Sequence, residues 1–168
     1  IQETDILLFS TAWRHKDDFV YLEKAISEIN KINLKTTIII QSQVPEFFYE
    51  KKKYKFKSLY FTRIDEYLIE NKILPNKVQI KKIKKLYYKD FISLNKIKQI
   101  NFKLKEIAIR NNLKFINSEN FFCNTIDKEC DFLTIDNKKI YWDMAHLTEA
   151  GWKFFGKKFF ELNYLDSK

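Results

Sequence analysis

Two apolar runs separated by one amphipathic helix constrain this chain more than any other feature. Residues 5–10 read DILLFS and residues 36–41 read TTIIIQ. Neither run alternates apolar with polar, so both fit strands covered on both faces of a parallel sheet rather than half-exposed hairpin strands. Between them, Asp17 and Asp18 stand where a helix start favours acids, and Leu22, Ala25, Ile26 and Ile29 recur at helical spacing up to about Lys31. A strand–helix–strand unit of this size closes with a parallel, right-handed crossover. The whole sequence contains only two glycines and two prolines, too few for the turns of a hairpin-rich all-β fold.

Downstream, residues 44–76 loosen into aromatic and lysine-rich text between Pro45 and Pro75. They predict an excursion from the sheet, at about 44–78, with one short helix near 64–70. A long helix is predicted over 78–111, its apolar stripe running through Ile80, Ile83, Leu86, Ile97, Ile100, Leu104 and Ile107, with a break allowed near Asp90. Residues 113–116 predict a third strand. Thr148 is placed to cap a final helix, rich in Phe and Trp, that runs to about residue 162. This order predicts one α/β domain over 1–168, a three-layer α/β/α sandwich on a mainly parallel sheet. In such sheets ligands collect at the carboxyl ends of the strands, which directs attention to residues 10–15, 41–47, 118–130 and 141–148.

The formal charge is +9, but the lysines are spread along the chain, so a solvated basic surface is expected and a nucleic-acid partner is not. Tyr49, Tyr54, Phe56, Tyr60 and Phe61, interleaved with Lys51, Lys52, Lys53, Lys55 and Lys57, are read as aromatics packed inward with lysines exposed. The alternatives for that strip are a nucleic-acid stacking surface and a sugar-binding groove. No apolar run reaches the roughly 18 residues of a membrane helix, and no signal-peptide pattern opens the chain. A start at Ile1, in a run that enters a strand almost at once, is the expectation for a piece of a longer polypeptide.

The chemistry-bearing text is YWDMAHLTEAG, residues 141–151. A carboxylate three residues before a histidine, in a loop that ends at a helix cap, can bring Asp143 onto the imidazole of His146. The acid would then fix the tautomer and leave the other ring nitrogen to take a proton from a hydroxyl. Such a spacing also occurs by chance, with a capped helix and a surface histidine as the plain alternative. Ser10 ends a strand without the glycine-bearing elbow of a nucleophile, and His15 reads as a surface residue. Cys123 and Cys130 enclose six polar-loop residues; residue chemistry alone leaves a disulfide and two free thiols equally open. Their spacing is not that of a zinc site, so no metal is expected.

WDMAHLTEAG resembles the final block of the SGNH (GDSL-like) hydrolases, in which an Asp-x-x-His pair precedes the carboxy-terminal helix. The closer similarity is to the SGNH domains fused to bacterial membrane O-acyltransferases of acyltransferase family 3. There a cysteine pair lies upstream of a (Tyr/Trp)-Asp-x-x-His-Leu-(Ser/Thr)-x-x-Gly block, and an early apolar strand leads into a Trp, as DILLFSTAWR does here. The resemblance implies a flavodoxin-like SGNH fold, with His146 as general base and acid and Asp143 orienting it. It also implies a Cys123–Cys130 disulfide and hence an oxidising, periplasmic or extracellular location. Ala12, Trp13 and Arg14 would then lie beside the site and its oxyanion. The implied activity is O-acyl transfer or ester hydrolysis, with acetyl the expected group, on a cell-surface carbohydrate such as lipopolysaccharide. No cofactor would be needed, and a membrane acyltransferase domain of the same polypeptide would be the partner. One departure stands out: the family's Gly-Asp-Ser nucleophile block is not found, since no glycine precedes Gly151, and the family's oxyanion asparagine is not evident. The first strand and its serine are therefore expected outside this chain. The competing expectations are a carbohydrate- or nucleic-acid-binding module that keeps the fold without the chemistry, and an unrelated cytosolic enzyme with free thiols.

Overall fold

A computed structural model describes residues 6–10, 13, 15–32, 35–47, 62–92, 95–143 and 146–161. Within them the elements run β1 (Ile6–Phe9), α1 (Lys16–Ile32), β2 (Thr37–Gln41), α2 (Arg63–Asn71), α3 (Lys77–Ile92), α4 (Asn95–Arg110), β3 (Lys114–Ile116), α5 (Glu119–Phe122), β4 (Cys123–Asn124), β5 (Glu129–Cys130) and α6 (Glu149–Glu161). The chain divides into two compact units, one of residues 1–44 and 95–119, the other of residues 45–94 and 120–168.

The first unit is built on a parallel sheet in the order β1-β2-β3, with Leu7 beside Ile38, Phe9 beside Ile40 and Ile40 beside Phe115. Because successive side chains point to opposite faces, Leu7, Phe9, Ile38, Ile40 and Phe115 share one face. That face packs with Leu22, Ile26 and Ile29 of α1 and with Ile100, Leu104, Ile107 and Ala108 of α4 in a single core. Each such aliphatic side chain contributes about 1.5–3 kcal/mol on full burial. Ile38, Ile39 and Ile40 are all buried, as the unbroken apolar text of β2 predicts. β1 departs from its reading: Ile6 and Leu8 are exposed, so only its alternate face is covered.

At the carboxyl ends of β2 and β3 the backbone is closed by side chains. Asn101 of α4 accepts from the Gln43 backbone N–H (2.8 Å) and donates to Glu119 (2.7 Å), while the Ser118 N–H donates to the Ser42 hydroxyl (2.8 Å). These buried polar groups are partnered, as burial requires.

The helix expected over 78–111, with a break allowed near Asp90, is two helices, α3 ending at Ile92 and α4 starting at Asn95. The apolar stripe that looked continuous serves two cores: Ile100, Leu104 and Ile107 belong to the first unit, whereas Ile83, Tyr87 and Phe91 are buried in the second.

In the second unit, Tyr87 stacks on Phe132 (ring centroids 5.1 Å apart), and Phe47 meets both Tyr87 and Tyr141 edge-on at 4.8 Å. The short helix of the excursion, α2, starts with a capping box: the Thr62 hydroxyl and backbone N–H both donate to Asp65. Arg63 of α2 holds Asp90 of α3 through two 2.8 Å hydrogen bonds. No described helix is long and apolar enough to cross a membrane.

Candidate active site

The turn that carries Asp143 and His146 is pinned from both sides. Before it, the Ile140 N–H donates to the Phe132 carbonyl (2.9 Å), and Lys139 pairs with Leu133 across an antiparallel bridge. Across it, Tyr141 faces Leu147 in a second bridge, and the Trp142 N–H donates to the His146 carbonyl (2.7 Å). After it, the Thr148 N–H donates to the Ile140 carbonyl (2.9 Å) and the Thr148 hydroxyl to the Lys139 carbonyl (2.5 Å). The same hydroxyl accepts from the Gly151 N–H (3.0 Å), which makes Thr148 the cap of α6, as predicted from its position. Gly151 is required by space: a Cβ there would run into the Ile140 carbonyl oxygen and fall 2.9 Å from its carbon and 3.2 Å from Leu147 Cβ. Helix α6 can therefore start directly against the Ile140 peptide.

Within this closed turn the predicted pair meets. His146 Nδ1 lies 3.0 Å from one oxygen of Asp143 and 2.8 Å from the other, and the His146 backbone N–H donates to the same carboxylate at 2.8 Å. A carboxylate is acceptor-only, so the ring nitrogen facing it must carry the proton. That leaves Nε2 as the basic nitrogen. The Asp143 side chain is 20% exposed and that of His146 is 74% exposed, so the acid is sheltered while the imidazole edge that would exchange a proton is open. An oriented imidazole backed by an acid, its outer nitrogen without a partner among the described residues, is suited to taking a proton from a hydroxyl and returning it to a leaving group.

Tyr141, next in chain to this turn, is fully buried among Phe47, Phe122 and Phe132's neighbour Tyr87. Burial, with repulsion from Tyr87 and Asp131, pushes its phenol well above the ordinary tyrosine range. It is an anchor for the turn, with Trp142 beside it exposed.

The other predicted residues are placed as follows. Trp13 is buried, stacks on Phe19 and belongs to the core of the first unit. Its indole N–H has no partner among the described residues. Ala12 and Arg14 lie outside the described residues, as do Tyr49, Tyr54, Phe56, Tyr60 and Phe61 with their lysines. Ser10 is exposed beyond β1. His15 is exposed, and its backbone N–H donates to Asp18 at the start of α1 (2.9 Å), a capping arrangement. Cys123 and Cys130 are joined in a disulfide across the β4–β5 pairing, and both are buried. Among the described residues, no group of three His, Cys, Asp or Glu side chains is gathered to hold a metal ion.

Two residues absent from the predicted site stand behind it. Lys139 Nζ donates to Asp65 (2.5 Å) and approaches the Trp142 carbonyl at 3.4 Å. The short helix near 64–70 was expected, but nothing local to Asp65 or Lys139 signals a pairing across 74 positions.

The model of the SGNH domain (fused to AT3 domains) matches residues 3–161. No protein of curated function matches the chain. Among solved structures, the periplasmic domain of the lipopolysaccharide acetyltransferase of Salmonella ser. Paratyphi A is similar, with a TM-score of 0.62 and 17% identity; the match covers 94% of this chain and 56% of that one. At that identity the similarity shows a shared fold, and the chain spans little more than half the length of its structural neighbour.

Proposed function

The chain belongs to the SGNH family, in the form found fused to AT3 domains, and on that premise we propose that it supplies the acid–base pair of an O-acyltransferase or esterase acting on a cell-surface carbohydrate. The observation that carries this reading is the Asp143–His146 geometry, with both carboxylate oxygens on Nδ1 and an exposed imidazole. In the proposed reaction a serine supplied from outside this chain attacks the acyl carbonyl while its proton passes to His146 Nε2. The tetrahedral adduct then collapses, the leaving oxygen takes that proton, and the acyl group stays on the serine. A carbohydrate hydroxyl, or water, next gives its proton to Nε2 as it attacks, and the proton returns to the serine as it leaves. Asp143 stabilises the imidazolium in each half-reaction. No organic cofactor or metal enters these steps.

The fusion described for the family and the lipopolysaccharide acetyltransferase neighbour support acetyl as the group, a membrane acyltransferase domain of the same polypeptide as its source, and a periplasmic location. The single SGNH-like domain over 1–168 belongs to the same proposal. The assignment of Ala12, Trp13 and Arg14 to the oxyanion side rests on the resemblance alone and is tested by Trp13→Phe.

The test is fluorophosphonate labelling of the full-length natural polypeptide, with the labelled peptide mapped by mass spectrometry. Labelling of a serine outside residues 1–168 that is lost in His146→Ala is expected. Labelling of Ser10 would misplace the nucleophile. No labelling, with carbohydrate binding unchanged in His146→Ala, would replace the enzyme by a binding module.

A further inference from the structure

The proposed acid is held by a turn whose own supports include a charged side chain from a distant part of the chain. Lys139 sits where three of them converge. Its carbonyl accepts the Thr148 hydroxyl (2.5 Å), its backbone pairs with Leu133, and its ammonium lies between Asp65 (2.5 Å) and the Trp142 carbonyl (3.4 Å). The Trp142 carbonyl belongs to the peptide that leads directly into Asp143. The Trp142 N–H is in turn fixed on the His146 carbonyl, so a shift of Trp142 moves both members of the pair.

Asp65 is itself immobilised. One oxygen takes the Thr62 N–H (2.9 Å) and hydroxyl (2.7 Å) while the other takes Lys139. The ion pair is largely sheltered, with side chains 28% and 19% exposed, so it is less screened than a surface pair. Short range, shelter and a fixed acceptor make it a directional strut rather than a loose surface contact.

We propose that Lys139, held by Asp65 of α2, is a positioning residue that sets the Trp142–Asp143 peptide and through it the carboxylate on His146 Nδ1. The proposal rests on the reading of Asp143 and His146 as the acid–base pair. It gives α2, the helix of the excursion, a task at the site: its capping box supplies the anchor for the strut. Lys139 touches no reacting atom. Its effect is on alignment, so its loss acts on turnover rather than on substrate binding, and misalignment of a catalytic group by a fraction of an ångström to an ångström is expected to lower kcat about ten-fold or more with KM little changed.

The imidazole 15N shifts test this without any substrate, because they report which ring nitrogen carries the proton. The chain has only two histidines, and His15→Gln assigns the spectrum. In the parent, at a pH where the ring is neutral, His146 is expected in the Nδ1–H form. Lys139→Met and Asp65→Asn are expected to shift it to a mixture of tautomers, and Lys139→Arg, which can span the same acceptors, to restore the parent pattern. Asp65→Asn keeps an acceptor for the Thr62 cap, so it serves if Lys139→Met does not fold. An unchanged pattern in Lys139→Met and Asp65→Asn, alongside a changed one in Asp143→Asn, overturns the strut and leaves the acid–base pair standing. An unchanged pattern in Asp143→Asn as well overturns both.

Discussion

Replacing Gly151 by alanine should destabilise the protein although alanine is the better helix former. Gly151 lies in the first turn of α6, where alanine alone would gain up to about 1 kcal/mol. The new Cβ, however, would run into the Ile140 carbonyl oxygen and stand 2.9 Å from its carbon and 3.2 Å from Leu147 Cβ, against a comfortable separation of about 3.5–4 Å. The Ile140 peptide cannot yield freely, because its carbonyl accepts from Thr148 (2.9 Å) and its N–H donates to Phe132 (2.9 Å). Weakening those two bonds costs about 1 kcal/mol each, and overpacking strain adds about 1–3 kcal/mol. After the helix gain is subtracted, a net loss of about 2–4 kcal/mol is expected. Gly156, in the same helix, provides the control: nothing lies within 4 Å of its added Cβ, so Gly156→Ala should stabilise by about 0.5–1 kcal/mol. Urea denaturation, read as the midpoint at unchanged slope, measures both. If Gly151→Ala proved as stable as the parent, the close seating of α6 on the Ile140 peptide would be refuted. The same displacement should reduce any activity that depends on His146, since Thr148 joins the helix to the turn.

Three further outcomes are expected. Reducing the Cys123–Cys130 bridge, which closes a sequence separation of 7, should lower stability by about 2.5 kcal/mol on the loop-entropy estimate, and both sulfurs should resist thiol reagents until denaturant is added; ready reduction in the native state would contradict their burial. Tyr141→Phe should be neutral or stabilising, because the buried hydroxyl it removes has no partner among the described residues. Since burial raises the Tyr141 phenol in the folded state, its contribution is complete below the unfolded value near pH 10 and is lost as pH climbs above it; thermal melts above pH 10 should therefore fall less steeply in Tyr141→Phe. Asp90→Ala removes the bidentate partner of Arg63 and leaves its longer contact with Glu66 at 3.8 Å; it should cost about 1–3 kcal/mol, and a loss below about 0.5 kcal/mol would show the pair to be solvated.

The parts of the protein legible in the sequence are those whose geometry is local. The β2 run of β-branched residues, the acids opening α1, and Thr148 three residues before Gly151 each define a short segment, because dihedral preference and capping act within one turn. The Asp143–His146 pair is legible for the same reason: residues three apart in a tight turn meet without help from the rest of the fold. The resemblance to SGNH domains is local too, carried by one contiguous block. The stripe over 78–111, with its break allowed near Asp90, is found as α3 and α4 parted after Ile92; a 3.6-residue repeat states that a face is apolar and not which core will cover it, and the two helices serve different ones. In β1 an unbroken apolar run promised two covered faces, and the packing covers one.

What the sequence by itself determined, then, is a parallel α/β chain with a carboxylate and an imidazole in one turn. Tertiary structure alone decided how that turn is held: by Lys139 on Asp65, 74 positions away, by Tyr141 buried among rings from several segments, and by a glycine whose lack of a side chain matters only because the Ile140 carbonyl lies against it. Each of these depends on residues far apart in the chain being brought within a few ångströms, and neither spacing nor propensity encodes such a distance; only the packed core does.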